Sequence, residues 1–538
     1  MSRLQEVLDF EVLRSELQAV ADEMSIALMR SSFSPVIRDF LDFSTALCLP
    51  DGRLVAQGFS LPLHLGAIPR AVEAFLKAFP DGLAAGDVAV LNDPYAGGMH
   101  LPDLFVAAPA FDGPRLMGYA VVVAHHVDVG GRVPGGSASD NREIFEEGLR
   151  LPPVLLRSGG RPVPFVETVI RANVRLPDML WHDLEAQVAS ALLGSRRLAE
   201  IAIRTPAFEA GLEAILAYGR RRLEAVLAGW PAGSYEFEDV EDHDGLVDRP
   251  VPIRVRAEIS PTKVVFDFAG SSPQSRGSIN CTLSFTESAC FAAVRALAGE
   301  EIPVNAGFTA AIEVRAPRAS VVNAEFPAGV AARGVIGYRV IETIFGALAQ
   351  AIPERVPAAG DGGTSGIRIG GMRADGSRYQ YNEIVCGAWG ARPDRDGLDG
   401  AAGMAANIAN RPVEIAERDD PVRIHAYELV GGTGGAGRHR GGLAVRKVVE
   451  LLAPEGTLNL RTHRNLTPPY GLGGGSPGSV SETWLTRDGE RRRLPAKTTV
   501  ELRGGDVIDH TTASGGGFGD ASKRDPGAIA LDRSEAKA

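Results

Sequence analysis

Cysteine is scarce in this chain. Its 538 residues include four cysteines, Cys48, Cys281, Cys290 and Cys386, and no two of them form a CxxC pair. Cysteines scattered in this way support neither a disulfide framework nor a structural zinc site made of thiolates. We therefore expect all four to be buried and to act as small apolar residues.

The sequence also lacks long apolar segments and long basic runs. No stretch approaches 18 consecutive apolar residues, and residues 1–20 carry Asp, Glu and Arg instead of the apolar core of a signal peptide. The formal net charge is -11, so nucleic acid and anionic membranes are disfavoured as partners. Because 45% of the residues are apolar, the chain can build sizeable cores, and we expect a globular, cytoplasmic protein.

No Gly-Lys dipeptide occurs, so the GxxxxGK[ST] phosphate-binding loop is absent. Residues 432–437 match GxGxxG, but RHRGGLAVR follows where a dinucleotide-binding fold has a helix. Residues 474–478 match GxSxG, but Pro477 follows the serine and has no N–H for an oxyanion hole. We interpret both as glycine-rich turns. Residues 515–520 form either a close-packed turn or a mobile loop over a substrate or partner.

Imidazole and carboxylate side chains are concentrated in two short motifs. HLPD supplies His100 and Asp103, and AHHVD supplies His125, His126 and Asp128. HLPD contains a proline and follows two glycines, so it predicts a turn in which side chains three residues apart converge. Nitrogen and oxygen ligands together suit zinc, manganese or ferrous iron. The spacing indicates either a divalent-metal site or two hydrogen-bonded loop groups beside a core histidine.

The two adjacent histidines come at the end of a predicted strand. The residues before them, MGYAVVVA, are apolar and rich in β-branched side chains, which is typical of a buried strand. Successive side chains on a strand point to opposite faces, so His125 and His126 cannot both face one pocket. The pattern leaves open which of the two faces the metal.

Hydrophobic periodicity predicts a multidomain chain of mixed α/β (α+β) class. Residues 5–30 have the spacing of an amphipathic helix, and a β-hairpin is predicted around Pro50-Asp51-Gly52 with Asp42 at its entrance. Further helices are predicted near residues 184–202, 208–227, 284–298 and 340–352. We divide the chain into an N-terminal metal-binding α/β region (1–230), a middle mixed α/β region (231–370) and a C-terminal β-rich, glycine-rich region (371–538) that ends in a loose polar tail from about Asp525.

Several separated motifs resemble the B-subunit family of hydantoinases and 5-oxoprolinases, which includes N-methylhydantoinase B-like proteins. They are RSSFSPVIRDFLDFSTAL, NDPYAGGMHLPD, AHHVDVGG, ANVRLPD, FAGSSPQSRGSIN, GGAGRHRGGLAVR and ASGGGFGDASKRDP. These motifs follow the family's order over nearly the whole chain. The family also includes the metal-bearing subunits of acetone and acetophenone carboxylases and a caprolactamase.

The resemblance implies a ligand set for one divalent ion, zinc, manganese or iron. The ligands would be Asp42, His100, Asp103 and His125. His126 and Asp128 become candidates for proton transfer or for orienting the ligands, and a core histidine and a turn-capping aspartate are the equally strong alternatives.

The resemblance also implies a partner. This partner is an A subunit of the actin-like ATPase superfamily, which binds ATP and phosphorylates the carbonyl oxygen of the substrate. The ATP site then lies on the A subunit and not on this chain. The simplest assembly is a dimer of heterodimers.

These inferences predict the B subunit of an ATP-dependent cyclic amidohydrolase. Amide resonance makes a lactam carbonyl a poor electrophile, and phosphorylation turns its oxygen into a good leaving group. Metal-bound water would then open the ring of a cyclic amide, imide or ureide such as a hydantoin. The alternatives are a ketone carboxylase of the acetone or acetophenone type, a mononuclear iron oxygenase with two histidines and one carboxylate, and a non-catalytic scaffold for the A subunit.

Overall fold

The computed structural model describes residues 3–58, 61–299, 302–404 and 406–538, without the side chains of residues 3–6 and 364. Its helices are α1 (Arg3–Ser31), α2 (Pro35–Arg38), α3 (Ala67–Ala78), α4 (Pro164–Asn173), α5 (Pro177–Arg204), α6 (Phe208–Leu227), α7 (Leu283–Ala298), α8 (Ala306–Thr309), α9 (Gly334–Leu348), α10 (Val413–Asp419) and α11 (Pro526–Ser534). None of these helices has both the length and the apolar composition needed to cross a membrane, as far as the described ranges extend.

The strands fall into four sheets across the described ranges. They are β1 (Phe43–Cys48), β2 (Leu54–Gln57), β3 (Val88–Leu91), β4 (Asp103–Asp112), β5 (Arg115–His125), β6 (Val154–Ser158), β7 (Arg161–Pro162), β8 (Gly233–Glu241), β9 (Val251–Ser260), β10 (Lys263–Asp267), β11 (Ile312–Arg315), β12 (Thr364–Met372), β13 (Arg378–Cys386), β14 (Val422–Val430), β15 (Ala444–Leu451), β16 (Glu455–Arg461), β17 (Glu482–Arg487), β18 (Glu490–Arg493), β19 (Lys497–Arg503) and β20 (Val507–Thr511). The predicted multidomain chain of mixed α/β class is confirmed.

The N-terminal region is built on an antiparallel sheet with the strand order β2-β1-β5-β4-β3-β6-β7. Helices α1 and α5 pack on one face of this sheet, and α3 and α7 contribute to the core on the other face. The side chains of β5 alternate between the two cores, with Val122 and Ala124 on the α1/α5 side and Val121 and Val123 on the α3/α7 side. Burial on both faces explains why this strand is a continuous apolar run.

The middle region contains the sheet β11-β10-β9-β8, in which β10 and β11 are parallel and the other pairs antiparallel. Helix α9 packs on β8 and β9. One hydrophobic core contains residues of this region together with residues of the N-terminal sheet, for example Val123 and Ile344. The division at residue 230 stays a prediction, and this core extends across it.

The C-terminal region consists of two antiparallel sheets, β13-β12-β16-β19 and β14-β15-β20-β17-β18, as its β-rich sequence predicts. Their inner faces share one core, to which Ile367 and Ile369 of β12, Leu458 of β16 and Val449 of β15 contribute. Alternation along β12 therefore directs Arg368 away from this core, towards the other face of its sheet.

The three glycine motifs of this region pack against one another. The backbone N–H of Gly517 donates to the Ser476 carbonyl at 2.9 Å, and that of Ser476 donates to the Ala436 carbonyl at 2.7 Å. A Cβ atom on Gly435 would lie 2.4 Å from the Ser476 oxygen, and one on Gly516 would lie 2.1 Å from the Tyr470 oxygen. Glycine is required because the backbones approach so closely, which agrees with the close-packed alternative for residues 515–520.

The prediction of a loose tail from Asp525 is wrong, because α11 occupies this segment. Asp525 is the N-cap of the helix, and its side chain accepts a hydrogen bond from the Ala528 N–H at 2.9 Å. Pro526 follows at the first helical position, where proline is favoured. Asp532 accepts hydrogen bonds from Arg440 and Arg524, so ion pairs hold the helix against the body of the protein.

A buried ion cluster joins the middle and C-terminal regions. Its three carboxylates and three cations balance in charge, and they are Asp239, Glu241, Glu342, Arg339, Arg464 and Lys497. Arg464 reaches Asp239 at 2.8 Å and also bonds Glu342, whereas Lys497 reaches Glu241 at 2.7 Å. Because buried charges are tolerated only when paired, removal of one cation leaves a carboxylate uncompensated.

We expect Arg464→Met to lower the free energy of unfolding by about 3–5 kcal/mol, since it breaks a buried ion pair from one side. The control is Arg446→Met, which removes a partly exposed guanidinium paired with Glu428 and Asp509. This variant should lower the free energy of unfolding by less than about 1 kcal/mol. Urea unfolding of both variants measures the difference. Equal losses would contradict the role that we give to the buried cluster.

Candidate metal centre

Three of the predicted ligands meet where β4 begins and β5 ends. His100 lies in the loop before β4, Asp103 is the first residue of β4 and His125 is the last residue of β5. Antiparallel pairing places Asp103 opposite His125. The turn folds His100 back onto Asp103, whose backbone N–H donates to the His100 carbonyl at 3.1 Å. One ligand atom of each residue lies within 4.8 Å of the other two, and all three residues are buried.

Several atoms of this cluster are buried without a hydrogen-bond partner among the described residues. They are His100 Nε2, Asp103 Oδ1 and His125 Nδ1. His100 Nε2 and Asp103 Oδ1 lie 3.2 Å apart, but two acceptors form no hydrogen bond with each other unless Nε2 carries the ring proton. Buried polar atoms are normally satisfied, so unsatisfied ones that converge on one point indicate a missing partner. Imidazole nitrogens with a carboxylate oxygen form a donor set that suits zinc, manganese or iron. The residues present therefore fit a divalent ion.

The remaining atoms of the same side chains are held by neighbours. Asp103 Oδ2 accepts a hydrogen bond from the Arg333 guanidinium at 2.6 Å. His100 Nδ1 lies 3.1 Å from the Ala331 carbonyl oxygen and 3.3 Å from an Arg333 nitrogen. We assign the proton to Nδ1 from the shorter contact, which leaves a lone pair on Nε2. Supporting bonds of this kind orient metal ligands.

The charges of the cluster suit a cation. Burial, reinforced by the charge of Arg333, lowers the pKa of His100 to about 4, and burial also lowers the pKa of His125 well below its usual value. Burial opposes ionisation of Asp103, but Arg333 and His100 outweigh it and hold the pKa of this carboxyl well below its usual range. At neutral pH the site presents neutral imidazoles and an ionised carboxylate, which are the forms that bind metals.

Asp42, the fourth predicted ligand, lies beside this cluster. Its backbone carbonyl accepts a hydrogen bond from the His125 N–H at 3.0 Å. Its carboxylate is 13% exposed and lies 3.9 Å from His64 Nε2. Burial, followed by repulsion from Asp103, raises the pKa of Asp42 to about 7. A bound cation would oppose both effects and favour the ionised form.

His126 faces the opposite side of the strand from His125. Its Nε2 lies 2.7 Å from Gln187 Oε1 on α5, and its backbone N–H donates to the Pro102 carbonyl at 2.8 Å. Gln187 in turn donates to the Leu104 carbonyl at 2.9 Å. His126 therefore supports the turn and the strand that carry Asp103. This position matches the alternative in which His126 is a core histidine and takes no part in proton transfer.

Asp128 holds the loop that follows β5. Its carboxylate accepts hydrogen bonds at 3.0 Å from the backbone N–H groups of Gly130, Gly135 and Arg175 and from the Arg175 guanidinium. Four hydrogen bonds use the lone pairs that proton transfer would need. These contacts match the alternative in which Asp128 caps a turn.

Three residues that surround the ligands are not apparent from the sequence. Arg333, just before α9, reaches Asp103 across 230 positions of chain. Glu147 accepts hydrogen bonds from the Val330 and Ala331 N–H groups and so positions the carbonyl that contacts His100. His64 is buried and bonds Ser44 through Nδ1 at 2.7 Å. The position of His64 inside the apolar run LPLHLG is a signal that could have identified it, whereas the other two carry none.

Comparison with known proteins places this chain in a family. Residues 6–521 match the family model for hydantoinase B/oxoprolinase. The B subunit of a putative D-/L-hydantoinase from Pseudomonas sp. is 29% identical over 97% of this chain and 91% of its own length.

Two solved structures have the same fold. The ATP-dependent caprolactamase from Pseudomonas jessenii gives a TM-score of 0.92 at 26% identity, over 98% of this chain and 94% of that one. Nucleotide-free acetone carboxylase gives 0.91 at 18% identity, over 99% of this chain and 78% of that one. The predicted family is confirmed: this chain belongs to the hydantoinase B/oxoprolinase family.

Proposed function

We propose that this chain is the B subunit of a cytoplasmic, ATP-dependent enzyme that opens the ring of a cyclic amide, imide or ureide at a divalent-metal centre. The observation that carries the proposal is the convergence of unsatisfied ligand atoms from His100, Asp103 and His125. Membership of the hydantoinase B/oxoprolinase family supplies the reaction class. The two observations differ in kind, because the convergence of ligand atoms comes from local geometry and the family membership comes from the whole sequence.

In this proposal His100, Asp103 and His125 hold the ion, and Asp42 joins them as the fourth ligand. A divalent ion held there would supply Lewis acidity and, as zinc does, would lower the pKa of water from ~15.7 to near ~7. Arg333 binds Oδ2 of Asp103 and leaves Oδ1 beside His100 Nε2, 3.2 Å away. His126 and Asp128 serve as positioning residues, through the contacts to Pro102 and Gln187 and to the loop at Gly130 and Gly135.

The second part of the proposal is a partner ATPase of the hydantoinase A type. A lactam carbonyl is a poor electrophile because of amide resonance, and an ordered metal site alone does not remove that resonance. The relative from Pseudomonas sp. is named as a subunit, and the caprolactamase is described as ATP-dependent. We therefore assign phosphorylation of the substrate to the partner and attack by water to this chain, in a dimer of heterodimers.

Ring opening is preferred to ketone carboxylation. The similarity to acetone carboxylase is at 18% identity and supports the fold alone, whereas the caprolactamase is at 26% and its name denotes hydrolysis of a lactam. An iron oxygenase would also use two histidines and one carboxylate. Oxygen consumption separates this last alternative, because ring opening proceeds under anaerobic conditions.

We expect about one divalent ion per chain in protein purified without chelator. His100→Ala and Asp103→Ala should each lose the ion and abolish turnover by the assembled enzyme, because each removes a ligand atom. The matched control is His425→Gln, which removes an exposed histidine paired with Glu450. This variant should keep both the bound ion and the turnover of the assembled enzyme. Elemental analysis and circular dichroism of each variant provide the measurements. Full turnover by a metal-free preparation would overturn the proposal.

The adjacent histidines should separate in their effects. His125→Ala should lose metal, since its ring contributes to the ligand cluster. His126→Ala should retain metal and lose about 10 to 100-fold in activity or metal affinity, as expected for a residue that only supports the ligands. Titration of the metal-free protein with zinc measures the metal affinity of both variants. Equal losses of metal would show that the two rings do not face opposite sides in solution.

We expect the isolated chain neither to hydrolyse ATP nor to open a hydantoin or 5-oxoproline ring at an appreciable rate. Co-expression with an A-type ATPase subunit should give one co-eluting species in which ATP consumption and ring opening appear together. The comparison is made at equal metal occupancy, with and without ATP. Full activity of the lone chain would show a self-sufficient hydrolase and would end the two-subunit proposal.

A further inference from the structure

One face of the sheet β13-β12-β16-β19 is both polar and buried. Arg368 on β12 pairs directly with Asn459 on β16, and Arg461 is two positions further along β16, opposite Gly366. Directly paired residues point to the same face, and so do residues two positions apart on one strand. Arg368, Asn459 and Arg461 therefore share a face, and the apolar residues between them form the core on the other side.

These three side chains have no acceptor among the residues that the structure describes. Arg368 and Arg461 are each 7% exposed, and Asn459 is 3% exposed. No carboxylate in the described part of the chain lies within ion-pair distance of either guanidinium, and Arg461 Nε and Asn459 Nδ2 are buried without a hydrogen-bond partner. Isolated buried charges are strongly unfavourable in a folded protein. An anion bound from outside the chain would satisfy all three donors.

Other buried arginines show that the chain normally avoids this arrangement. Arg339 and Arg464 are fully buried and share three carboxylates. Arg411 is 1% exposed and pairs with Asp419 and Asp420. The lack of partners at Arg368 and Arg461 is therefore specific to this face.

The face borders the candidate metal centre. The charge of Arg368 contributes to the lowered pKa of His125, and both arginines act on the carboxyl of Asp42. The loop after β5 covers the sheet here, since a Cβ atom on Gly135 would lie 3.3 Å from Arg368 Cδ. Burial lowers the pKa of Arg368 to about 10 and that of Arg461 to about 9, so both remain protonated at neutral pH.

We propose that Arg368, Arg461 and Asn459 form a binding site for a phosphoryl group beside the candidate metal centre. A dianion balances two unpaired guanidinium groups, whereas a single carboxylate would leave one positive charge uncompensated. Guanidinium forks also suit phosphate oxygens geometrically. The source of the group, a phosphorylated substrate or the inorganic phosphate released from it, rests on the proposed function, but the binding chemistry does not.

The test measures anion binding by the lone chain after chelator treatment, so that neither a metal nor a partner contributes. Inorganic phosphate, methyl phosphate and acetate are titrated at constant ionic strength by calorimetry and by thermal shift. We expect both phosphates to bind and to raise the melting temperature, and acetate to do neither. Arg368→Met and Arg461→Met should each weaken phosphate binding at least about tenfold. Arg378→Met, at the exposed end of β13 in the same sheet, is the matched control and should bind as the parent does.

The stability of the ligand-free variants separates binding from folding. Arg368→Met removes a buried charge that has no partner, so without phosphate it should melt at or above the temperature of the parent. Equal responses to phosphate and acetate, or a phosphate response that survives in the Arg368→Met, Arg461→Met double variant, would overturn the site. Phosphate binding without ring opening by the assembled enzyme would contradict the proposed function and leave this site standing. Ring opening by the assembled enzyme without phosphate binding would contradict this site and leave the proposed function standing.

Discussion

The register between β4 and β5 is the constraint on which the candidate metal centre depends. Antiparallel pairing sets Asp103 opposite His125, and burial on both faces of the sheet holds that pairing in place. A slip by one residue would exchange every inward and outward side chain. His126 would then replace His125 at the cluster, and the apolar residues of β5 would change cores. The same hydrophobic contacts that stabilise the sheet therefore determine which histidine can reach a metal.

Charge is balanced differently in two buried polar regions that the structure describes. In the cluster around Arg339 and Arg464 each cation has carboxylate partners, so the charges stabilise the junction between regions and need nothing from outside. Around the candidate metal centre the balance is incomplete. His100 Nε2 and Asp103 Oδ1 have no neighbour that supplies a positive charge between them, and among the described residues Arg368 and Arg461 form no ion pair and Arg461 Nε is unsatisfied. A cation and an anion bound side by side would complete it, which is the arrangement expected where a phosphorylated substrate meets a metal.

The C-terminal region contributes Arg368 and Arg461 to this site, and its glycine motifs pack its loops together. The glycine motifs that resemble nucleotide-binding or serine-hydrolase signatures pack against one another, with no room for a side chain at Gly435 or Gly475. Their role is to bring loops from distant parts of the chain into close contact. The face of the sheet that carries Arg368 and Arg461 lies against the loop after β5, where a Cβ atom on Gly135 would approach Arg368 Cδ to 3.3 Å.

Local sequence determined the elements of this protein and the chemistry of its ligands. Apolar periodicity predicted α6 over residues 208–227 as observed, the turn residues Pro50-Asp51-Gly52 predicted the β1–β2 hairpin, and HLPD with AHHVD supplied the three residues that the structure brings together. The start of α11 at Asp525 and Pro526 is also a local signal, but its polar surroundings predict a loose tail instead. Only the tertiary structure decided that Arg333 reaches Asp103 and that Arg368 and Arg461 have no partner, because such contacts join residues far apart in the chain and leave no periodic trace in it.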